Sequence, residues 1–360
     1  MKYYDEYKDK RLCQLIIEEI KKLTEEKIRI MEVCGTHTMS IFRYGIKNLL
    51  PANINLISGP GCPVCVTPIN EIDHIIALSD MEETIITTFG DMINVPGSTS
   101  SLQKKKAEGA DVRVIYSPLQ ALGIAEQFPQ KRVILIGIGF ETTIPLLAST
   151  VLEAKNRRID NFFLFSLSKL MPPIIKTLLE SHEVKIGGML CPGHVSAIIG
   201  TKPYKFIPEC YDIACVIAGF EPVDILNAIY HIIKQRIKKI PQVENKYKRA
   251  VRDDGNPVAL ALIKQVFSPV PGEWRGIGMV AESGLELKSE FSNLNARNFS
   301  VKIERERENK LCRCGDVLRG AITPRQCPLF RSLCTPENPV GSCMVSSEGT
   351  CSAYYRYNEW

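Results

Sequence analysis

The sequence predicts an α/β protein with two related domains, whose parallel sheets are flanked by helices, and a small irregular domain at the C-terminus. Three observations lead to this prediction. Short β-branched runs alternate with longer amphipathic stretches, similar glycine-bearing turns follow several of these runs, and the tail is rich in cysteine and proline. The expected domains are a first α/β domain at 1–120, a second at 121–235, and a linker with the C-terminal domain at 236–360.

Hydrophobic periodicity predicts the individual elements. Apolar residues recur at helical spacing over residues 12–28, which predicts an opening amphipathic helix. Buried strands are predicted at residues 54–57, 84–88, 112–116, 133–138, 162–166, 184–186 and 213–218. A further strand is expected near residues 277–281. Alternation of this kind is typical of parallel sheets with helices on their faces.

Composition excludes several classes of protein. The 360 residues carry 45 Lys and Arg against 40 Asp and Glu, a net charge of +5 that is too small for a nucleic-acid binder. The apolar run at 133–140 is far shorter than the roughly 20 residues that span a bilayer. The N-terminus is charged and lacks the apolar core of a secretion signal. We therefore expect a cytoplasmic protein with no membrane or nucleic-acid partner.

Thirteen cysteines are unusual in such a chain, because a reducing cytosol disfavours structural disulfides and leaves thiols for metal or redox chemistry. Six of them lie in the tail: Cys312, Cys314, Cys327, Cys334, Cys343 and Cys351. Four thiolates can hold either a structural Zn²⁺ or a [4Fe–4S] cluster. Only one pair is closely spaced and no histidine follows His231, which favours iron–sulfur. The two remaining thiols could form a redox dithiol or be buried spectators.

Two further cysteine motifs each follow an apolar run of the sequence. Cys62 and Cys65 form a C-x-x-C pair in a glycine- and proline-rich turn, which suits redox or metal chemistry, although such a pair is also found as half of a zinc site. Cys34 stands three residues before His37 and beside two threonines. Such a cysteine can be an activated nucleophile or a metal ligand. Three further cysteines lack polar neighbours and are predicted to be core residues: Cys13, Cys210 and Cys215.

Three other polar residues occupy turns that follow predicted strands, namely Asp91, Glu141 and His194. Loops at the carboxyl ends of parallel strands collect ligands in α/β sheets, so we predict that these residues and His37 orient metal ligands or move protons. A capping or core role is the alternative for the two acids. The third glycine of a dinucleotide fingerprint is missing after Gly139, and no phosphate-binding loop is present, so neither NAD nor ATP is expected.

Five motifs together resemble the HypD family of [NiFe]-hydrogenase maturation factors, over residues 34–357. They are Cys34-Gly-Thr-His-Thr, Gly59-Pro-Gly-Cys-Pro-Val-Cys, Gly139-Phe-Glu-Thr-Thr, Cys191-Pro-Gly-His-Val-Ser, and the tail from Cys312-Arg-Cys-Gly to Cys343-Met-Val-Ser-Ser-Glu-Gly-Thr-Cys351. They occur in the order found in that family. The resemblance implies a scaffold on which an Fe(CN)₂CO unit is assembled before it reaches the hydrogenase large subunit.

The resemblance also implies roles for the cysteines. Cys34 is expected to hold the Fe(II) that carries the CN and CO ligands, together with a small HypC-type chaperone, while cyanide arrives as a thiocyanate on a HypE-type carrier. A [4Fe–4S] cluster falls on four residues of the tail: Cys312, Cys327, Cys334 and Cys351. Cys314 and Cys343 become a redox pair, and our hypothesis is that electrons pass from the cluster through this pair to Cys62 and Cys65.

Two other classes of protein stay open at this stage. A stand-alone cluster-dependent disulfide reductase, similar to ferredoxin:thioredoxin reductase, accounts for the tail but not for the motif at Cys34. A zinc-stapled interaction protein accounts for the cysteines alone. We expect an assembly scaffold rather than an enzyme that turns over by itself.

Overall fold

The computed structural model describes residues 5–23, 26–303 and 308–357. The strands are β1 Ile28–Glu32, β2 Ile54–Ser58, β3 Thr84–Thr88, β4 Asp111–Val114, β5 Arg132–Gly139, β6 Phe162–Ser168, β7 Gly188–Pro192, β8 Ala214–Ala218, β9 Val243–Asn245, β10 Phe267–Trp274 and β11 Gly278–Leu287. They form two parallel sheets and one antiparallel hairpin, so the predicted α/β class is confirmed.

The helices connect and cover these strands. They are α1 Lys10–Leu23, α2 Gly35–Arg43, α3 Ile46–Leu49, α4 Ile69–Ser79, α5 Leu102–Ala107, α6 Leu119–Gln127, α7 Ile144–Arg157, α8 Met171–Ser181, α9 Gly193–Ile199, α10 Phe206–Tyr211, α11 Pro222–Lys238, α12 Pro257–Val266, α13 Cys314–Leu318, α14 Ser342–Val345 and α15 Thr350–Tyr357. Short 3₁₀ turns occupy Asp5–Lys8, Gly90–Asn94, Lys202–Tyr204, Ser289–Leu294, Ala296–Asn298 and Pro324–Gln326. Of the predicted opening helix, residues 24 and 25 lie outside the described residues.

The first sheet has the strand order β2-β1-β7-β8-β9, and the second has the order β4-β3-β5-β6. All pairs in both sheets are parallel, as in Ile30↔Leu56 between β1 and β2. Because parallel strands end at one edge, the loops after β1, β2, β7 and β8 share an edge of the first sheet. Those loops carry three of the predicted motifs.

The domain limits predicted from the sequence differ from the division between the sheets. Position 120 falls inside the second sheet, between β4 and β5, while the first sheet joins strands from residues 28–58 with strands from residues 188–245. The limit at 235 also precedes β9, which pairs with β8. The sheets therefore divide near residues 84 and 188. Whether the two units arose by duplication stays a prediction.

The strand predicted at 184–186 is wrong, because that segment is a bend and the strand begins at Gly188. A Cβ on Gly188 would lie 2.2 Å from Cγ2 of Ile232, so only glycine lets α11 pack this closely on β7. Because glycine and proline have low strand propensity, Gly188 and Pro192 weaken the sequence pattern of β7. The strand runs between β1 and β8 and is buried throughout. The strand expected near 277–281 is present as β11.

Three apolar clusters form the interior. One covers the outer face of the first sheet beneath α1 and α11, and another packs α6 and α7 on the second sheet. The largest joins side chains from both sheets with the C-terminal segment, and it includes Cys62, Cys65 and Cys343. The predicted thiols therefore lie where both sheets and the tail meet. No helix among the described residues has the length and apolar character needed to cross a bilayer.

Candidate thiol and metal centre

Cys34 lies between the end of β1 and the first turn of α2, and its side chain is 8% exposed. Its extended backbone places it at the N-cap position, where main-chain N–H groups of the helix are unpaired. The N–H groups of His37 and Thr36 favour the thiolate, but burial and then the charge of Glu348 oppose them. The net effect raises the pKa of Cys34 to about 12. A bound cation would be needed to make it a thiolate near neutral pH.

Glu32 holds the backbone of Cys34 in place. Its carboxylate accepts hydrogen bonds from the Cys34 N–H, at 3.1 Å, and from the hydroxyl of Thr38, and its main-chain oxygen accepts from Gly59 N at 2.7 Å. Burial raises the pKa of Glu32 to about 8. Sequence reasoning missed this residue, because an acid at the end of a strand has no signature that separates it from a solvent-exposed one.

The loop that carries Cys62 and Cys65 lies directly against Cys34. Gly35 N donates to Gly61 O at 2.9 Å. A Cβ on Gly61 would lie 2.3 Å from the main-chain nitrogen of Cys34, so only glycine allows this approach. Cys62 and Cys65 are joined by a disulfide and are almost fully buried. The structure thus brings together two motifs that are 28 residues apart in sequence, as the numbers of Cys34 and Cys62 show.

The tail docks on both of these loops. The hydroxyl of Ser342 donates to Cys65 O at 2.9 Å, and Thr36 Oγ1 donates to Glu348 Oε1 at 2.7 Å. Glu348 also packs closely on Gly35, since a Cβ added to Gly35 would lie 2.4 Å from the Cβ of Glu348. Predicted site residue Asp91 joins the same contact, since it accepts from Ser346 Oγ at 3.0 Å. Ser342 and Glu348 were not identified from the sequence, because nothing local marks them as contacts of distant loops.

Helix packing reinforces this docking. Helix α15, which contains Cys351, packs against α2, which follows Cys34. The rings of Phe42 and Tyr354 lie 4.4 Å apart between centroids, and Lys47 Nζ donates to the Tyr354 hydroxyl at 3.1 Å. The tail is therefore held to the first sheet by side chains before and after Cys351.

All six tail cysteines line one cavity, together with Leu329, Phe330, Gly341 and Met344. Cys312, Cys314, Cys343 and Cys351 are neighbours along the wall of this cavity. The Cys351 N–H also donates to Cys343 Sγ at 3.2 Å. Within the described part of the chain, three or more Cys, His, Asp or Glu side chains are nowhere grouped closely enough for a single metal ion. The six tail thiols therefore line a cavity and do not converge on the position of one metal ion.

This donor set suits a [4Fe–4S] cluster. The cavity offers sulfur and apolar side chains, the environment in which four thiolates hold such a cluster. At Gly341, a Cβ would lie 2.9 Å from Cys312 Sγ, so glycine keeps the space beside that sulfur. Burial raises the pKa of Cys334 above that of a free thiol, and the hydrogen bond to Cys314, followed by burial, raises that of Cys312. Metal binding would compete with these protons.

His37 and His194 both pack on the ring of Phe220. The ring centroids of His37 and Phe220 are 4.7 Å apart, and those of His194 and Phe220 are 3.9 Å apart. His37 is fully buried and donates from Nε2 to Gly219 O at 2.8 Å, because a carbonyl can only accept. Its Nδ1 is then an unprotonated acceptor, without a hydrogen-bond partner among the described residues. Burial lowers the pKa of His37 to about 4, so the ring is neutral near pH 7.

Glu141 occupies a different place from the other predicted polar residues. Its Oε1 accepts from Met171 N at 2.9 Å, which caps the start of α8. Its Oε2 is buried without a partner among the described residues, and burial raises the pKa of Glu141 to about 7. None of the hydrogen bonds within the described ranges links it to Cys34. The geometry therefore shows the capping role for Glu141, while its role in the site stays a prediction.

The remaining cysteines lie apart from this centre. Cys191 and Cys215 form a buried pair on β7 and β8, with sulfurs 3.4 Å apart, while Cys210 is exposed and Cys13 is half-buried on α1. The core role predicted for Cys215 agrees with its full burial. Cys210 was predicted to be a core residue, and its exposure shows that this prediction is wrong. It sits in the short helix α10, whose outer side is open.

The two parallel sheets join three separate cysteine motifs at one interface, which defines a thiol-rich α/β protein. Comparison with known proteins specifies the family. A family model described as "HypD: Hydrogenase formation hypA family" matches residues 11–358. The chain belongs to the HypD family of hydrogenase maturation factors.

Relatives from bacteria and archaea agree with this assignment. The chain is 44% identical to the hydrogenase maturation factor HypD of Cupriavidus necator, over 100% of this chain and 98% of that protein. It is 42% identical to HypD of Escherichia coli, over 100% and 99% of the two chains. A putative hydrogenase expression/formation protein of Methanocaldococcus jannaschii is 44% identical, over 97% and 98%. The resemblance noted in the sequence is confirmed.

Proposed function

We propose that this protein is the scaffold on which the Fe(CN)₂CO unit of [NiFe]-hydrogenase is assembled. Cys34 binds the Fe(II) that receives the CN and CO ligands. Four tail residues hold a [4Fe–4S] cluster: Cys312, Cys327, Cys334 and Cys351. Cys314 and Cys343 form one redox pair and Cys62 and Cys65 form another. A HypC-type chaperone shares the iron, a HypE-type carrier brings cyanide as thiocyanate, and the hydrogenase large subunit receives the product in the cytoplasm.

One observation carries this proposal, namely that the three thiol groups meet although the sequence separates them widely. The Gly61 loop lies on the backbone of Cys34, and Cys65 Sγ lies 4.0 Å from the main-chain oxygen of Ser342, the residue before Cys343. Cys343 in turn lines the tail cavity together with Cys314. A zinc staple alone has no need of this chain of contacts, and a reductase has no need of Cys34.

The release of cyanide from a thiocyanate requires two electrons at sulfur, which a dithiol can supply. In our proposal, one thiolate of the reduced Cys62 and Cys65 pair attacks the thiocyanate sulfur. A sulfur–sulfur bond forms, the sulfur–carbon bond breaks, and cyanide leaves with that electron pair. The second thiolate then closes the disulfide and frees the carrier thiol. The products are cyanide, the carrier thiol and the Cys62–Cys65 disulfide, which is the oxidised state present in the structure.

The tail thiols can return the pair to the reduced state by thiol–disulfide exchange. A thiolate of Cys343 attacks the Cys62–Cys65 disulfide, and Cys314 resolves the mixed disulfide, so that the Cys314–Cys343 bond replaces the Cys62–Cys65 bond. A bound [4Fe–4S] cluster would supply electrons one at a time, so reduction of the Cys314–Cys343 disulfide would take two transfers from an external one-electron donor. His37, with its unprotonated Nδ1 three residues from Cys34, is the candidate to orient the iron ligands, and His194 supports it through Phe220.

Infrared spectroscopy on anaerobically prepared protein, together with its small chaperone, tests the proposal. Stretching bands of metal-bound CN and CO, along with iron and a visible cluster absorption, are the expected result. Turnover of a disulfide substrate without partner proteins, and without these bands, would instead support a stand-alone reductase. Zinc without iron on elemental analysis would support the interaction protein. Iron-free protein that still matures hydrogenase would contradict the whole scheme.

A further inference from the structure

The tip of the β10–β11 hairpin lies between the Cys62–Cys65 loop and the cysteine tail. On one side, Arg275 N donates to Val66 O at 2.8 Å, just after Cys65. On the other side, a Cβ on Gly276 would lie 2.1 Å from the Cα of Gly315, which follows Cys314. Gly276 has a φ of +70°, which glycine adopts without strain. The backbone of this turn therefore touches both redox elements.

The hairpin holds its tip rigidly. The buried ring of Trp274, 1% exposed, donates from Nε1 to Ser283 Oγ at 2.8 Å and stacks on Phe140 at 6.0 Å between centroids. These contacts of Trp274 fix the backbone position of the next residue, Arg275. Because the turn contacts two loops that carry cysteines, a charge placed there acts on both.

Arg275 places a buried positive charge at this point. The residue is 4% exposed, its Nε donates to Thr67 O at 2.8 Å, and its Nη1 lies 3.3 Å from Glu308 Oε1. Its Nη2 is buried without a hydrogen-bond partner among the described residues. Glu308 is 45% exposed, so water screens its charge and it compensates the cation only in part. A buried guanidinium with an unused N–H is costly unless another anion balances it.

The tail segment that carries Cys312 and Cys314 lies beside this charge. Gly276, the residue after Arg275, packs on Gly315, the residue after Cys314, and a Cβ on Gly315 would lie 2.6 Å from Gly276 Cα. Glu308, which pairs with Arg275, precedes Cys312 by four residues. Cys312 belongs to the proposed cluster set and Cys314 to the proposed redox pair. Both become anionic or share anionic charge when thiolates hold iron. The cation thus lies next to the segment that carries both kinds of tail thiol.

We infer that Arg275 is a positioning residue that sets the reduction potential of the tail redox centre and links it to the Cys62–Cys65 loop through Thr67. This inference rests on the proposed function, since it requires a cluster on the tail thiolates. Reduction adds negative charge, and net charge and hydrogen bonds near the sulfurs are among the factors that set such potentials. A fixed, desolvated cation therefore favours the reduced state. No role in substrate contact is assigned to it.

The test is spectroelectrochemistry of the anaerobically purified full chain, with iron content measured on the same samples. Arg275→Gln removes the charge, and we expect reduction to become about tenfold less favourable, a shift of about −59 mV for one electron. Arg275→Lys keeps the charge and is expected to shift the potential by less than half as much. Arg313→Gln is the matched control, because its side chain is 50% exposed beside the same cysteines and its charge is screened.

Glu308→Gln gives a second measurement, because this carboxylate lies 3.3 Å from the buried guanidinium and partly neutralises it, whereas exposed Arg313 pairs with Asp316. It removes a neighbouring anion, so the potential is expected to rise rather than fall. If Arg275→Gln loses its iron, this variant decides the question, and an unchanged potential overturns the inference. An unchanged potential in an iron-loaded Arg275→Gln protein, or an equal shift in Arg313→Gln, also overturns it. Wild-type protein without iron or a reducible chromophore would instead overturn the proposed function itself.

Discussion

The Ser342 hydroxyl donates a hydrogen bond to the main-chain oxygen of Cys65, at 2.9 Å, while Cys65 Sγ lies 4.0 Å from the main-chain oxygen of Ser342. The two residues are 277 positions apart and both are fully buried. This double contact joins the C-x-x-C loop to the tail at the residue before Cys343. It links the loop of one proposed redox pair to the segment that carries the other.

Ser342→Ala should destabilise this junction. The substitution leaves the buried oxygen of Cys65 without its donor, which typically costs about 1 to 3 kcal/mol. We expect a lower free energy of unfolding in denaturant titrations and slower reduction of the Cys62–Cys65 disulfide. Ser332→Ala is the matched control, because Ser332 is an exposed tail serine whose hydroxyl donates to Pro328 O. Equal effects of the two substitutions would show that the junction has no special role.

Cys34→Ala should separate the two proposed metal sites. Cys34 lies outside the tail cavity, so its loss is expected to abolish the infrared bands of iron-bound cyanide while the visible absorption of the cluster persists. Cys210→Ala, at an exposed position, should change neither signal. Loss of the cluster absorption in Cys34→Ala would contradict the assignment of the iron to Cys34 and of the cluster to the tail.

Gly61→Ala should disturb Cys34 through the backbone. The added methyl group would lie 2.3 Å from Cys34 N, so the backbone segments at Gly61 and Cys34 must both shift to accept it. Overpacking of this kind typically costs about 1 to 3 kcal/mol, and we expect loss of iron binding with the cluster retained. Gly123→Ala is the control, because a Cβ there meets no atom within 4 Å and lies inside α6. That variant should be as stable as the wild type or more so, by about 0.5 to 1 kcal/mol.

The raised pKa of Glu32 predicts that the stability of the protein depends on pH. Burial raises the pKa of Glu32 from an ordinary value of 4.5 to about 8 in the folded protein, so the folded state holds this proton more tightly. The contribution of protonated Glu32 to the free energy of unfolding is complete below about pH 4.5 and is lost as the pH rises towards 8. Glu141, with a pKa of about 7, contributes in the same direction. His37, with a pKa of about 4, acts in the opposite direction below pH 6.5.

Glu32→Gln mimics the protonated acid and should flatten this decline. Denaturant midpoints of wild type and variant are expected to be similar near pH 5 and to diverge towards pH 8, with the variant relatively more stable. The amide can still accept the Cys34 N–H, so the loop should keep its conformation. Parallel pH profiles for the two proteins would show that Glu32 is ionised in the folded state.

The sequence predicts the elements well where burial alone decides them. Strands β3 and β5 are continuous apolar and β-branched runs, because helices or other chain segments cover them on both sides. The pattern fails at β7, where Gly188 and Pro192 serve packing and a turn rather than strand propensity. The strand order also could not be predicted, because the pairing of β1 with β7 joins segments that no local pattern connects.

The candidate site shows the same limit. Cysteine motifs are recognisable in the sequence because thiol spacing is rare and chemically specific. Glu32, Arg275 and Glu348 are ordinary charged residues, and their importance follows only from burial and from contacts across the fold. Glu141 illustrates the converse, since a polar residue in a suggestive loop proves to cap a helix.

Removal of the metal should open the tail while the sheets persist. The cysteine segment has short helices and turns, and its cavity walls are thiols that gain little from packing alone, so a cluster would supply much of its stability. Anaerobic chelation is expected to increase amide hydrogen exchange over residues 308–357, and also at Thr36 and Cys65, which lose Glu348 and Ser342. Strands β3 and β5 serve as the internal control. Unchanged exchange in the tail after complete loss of iron would mean that packing of α15 on α2, through Tyr354 and Phe42, suffices to hold it.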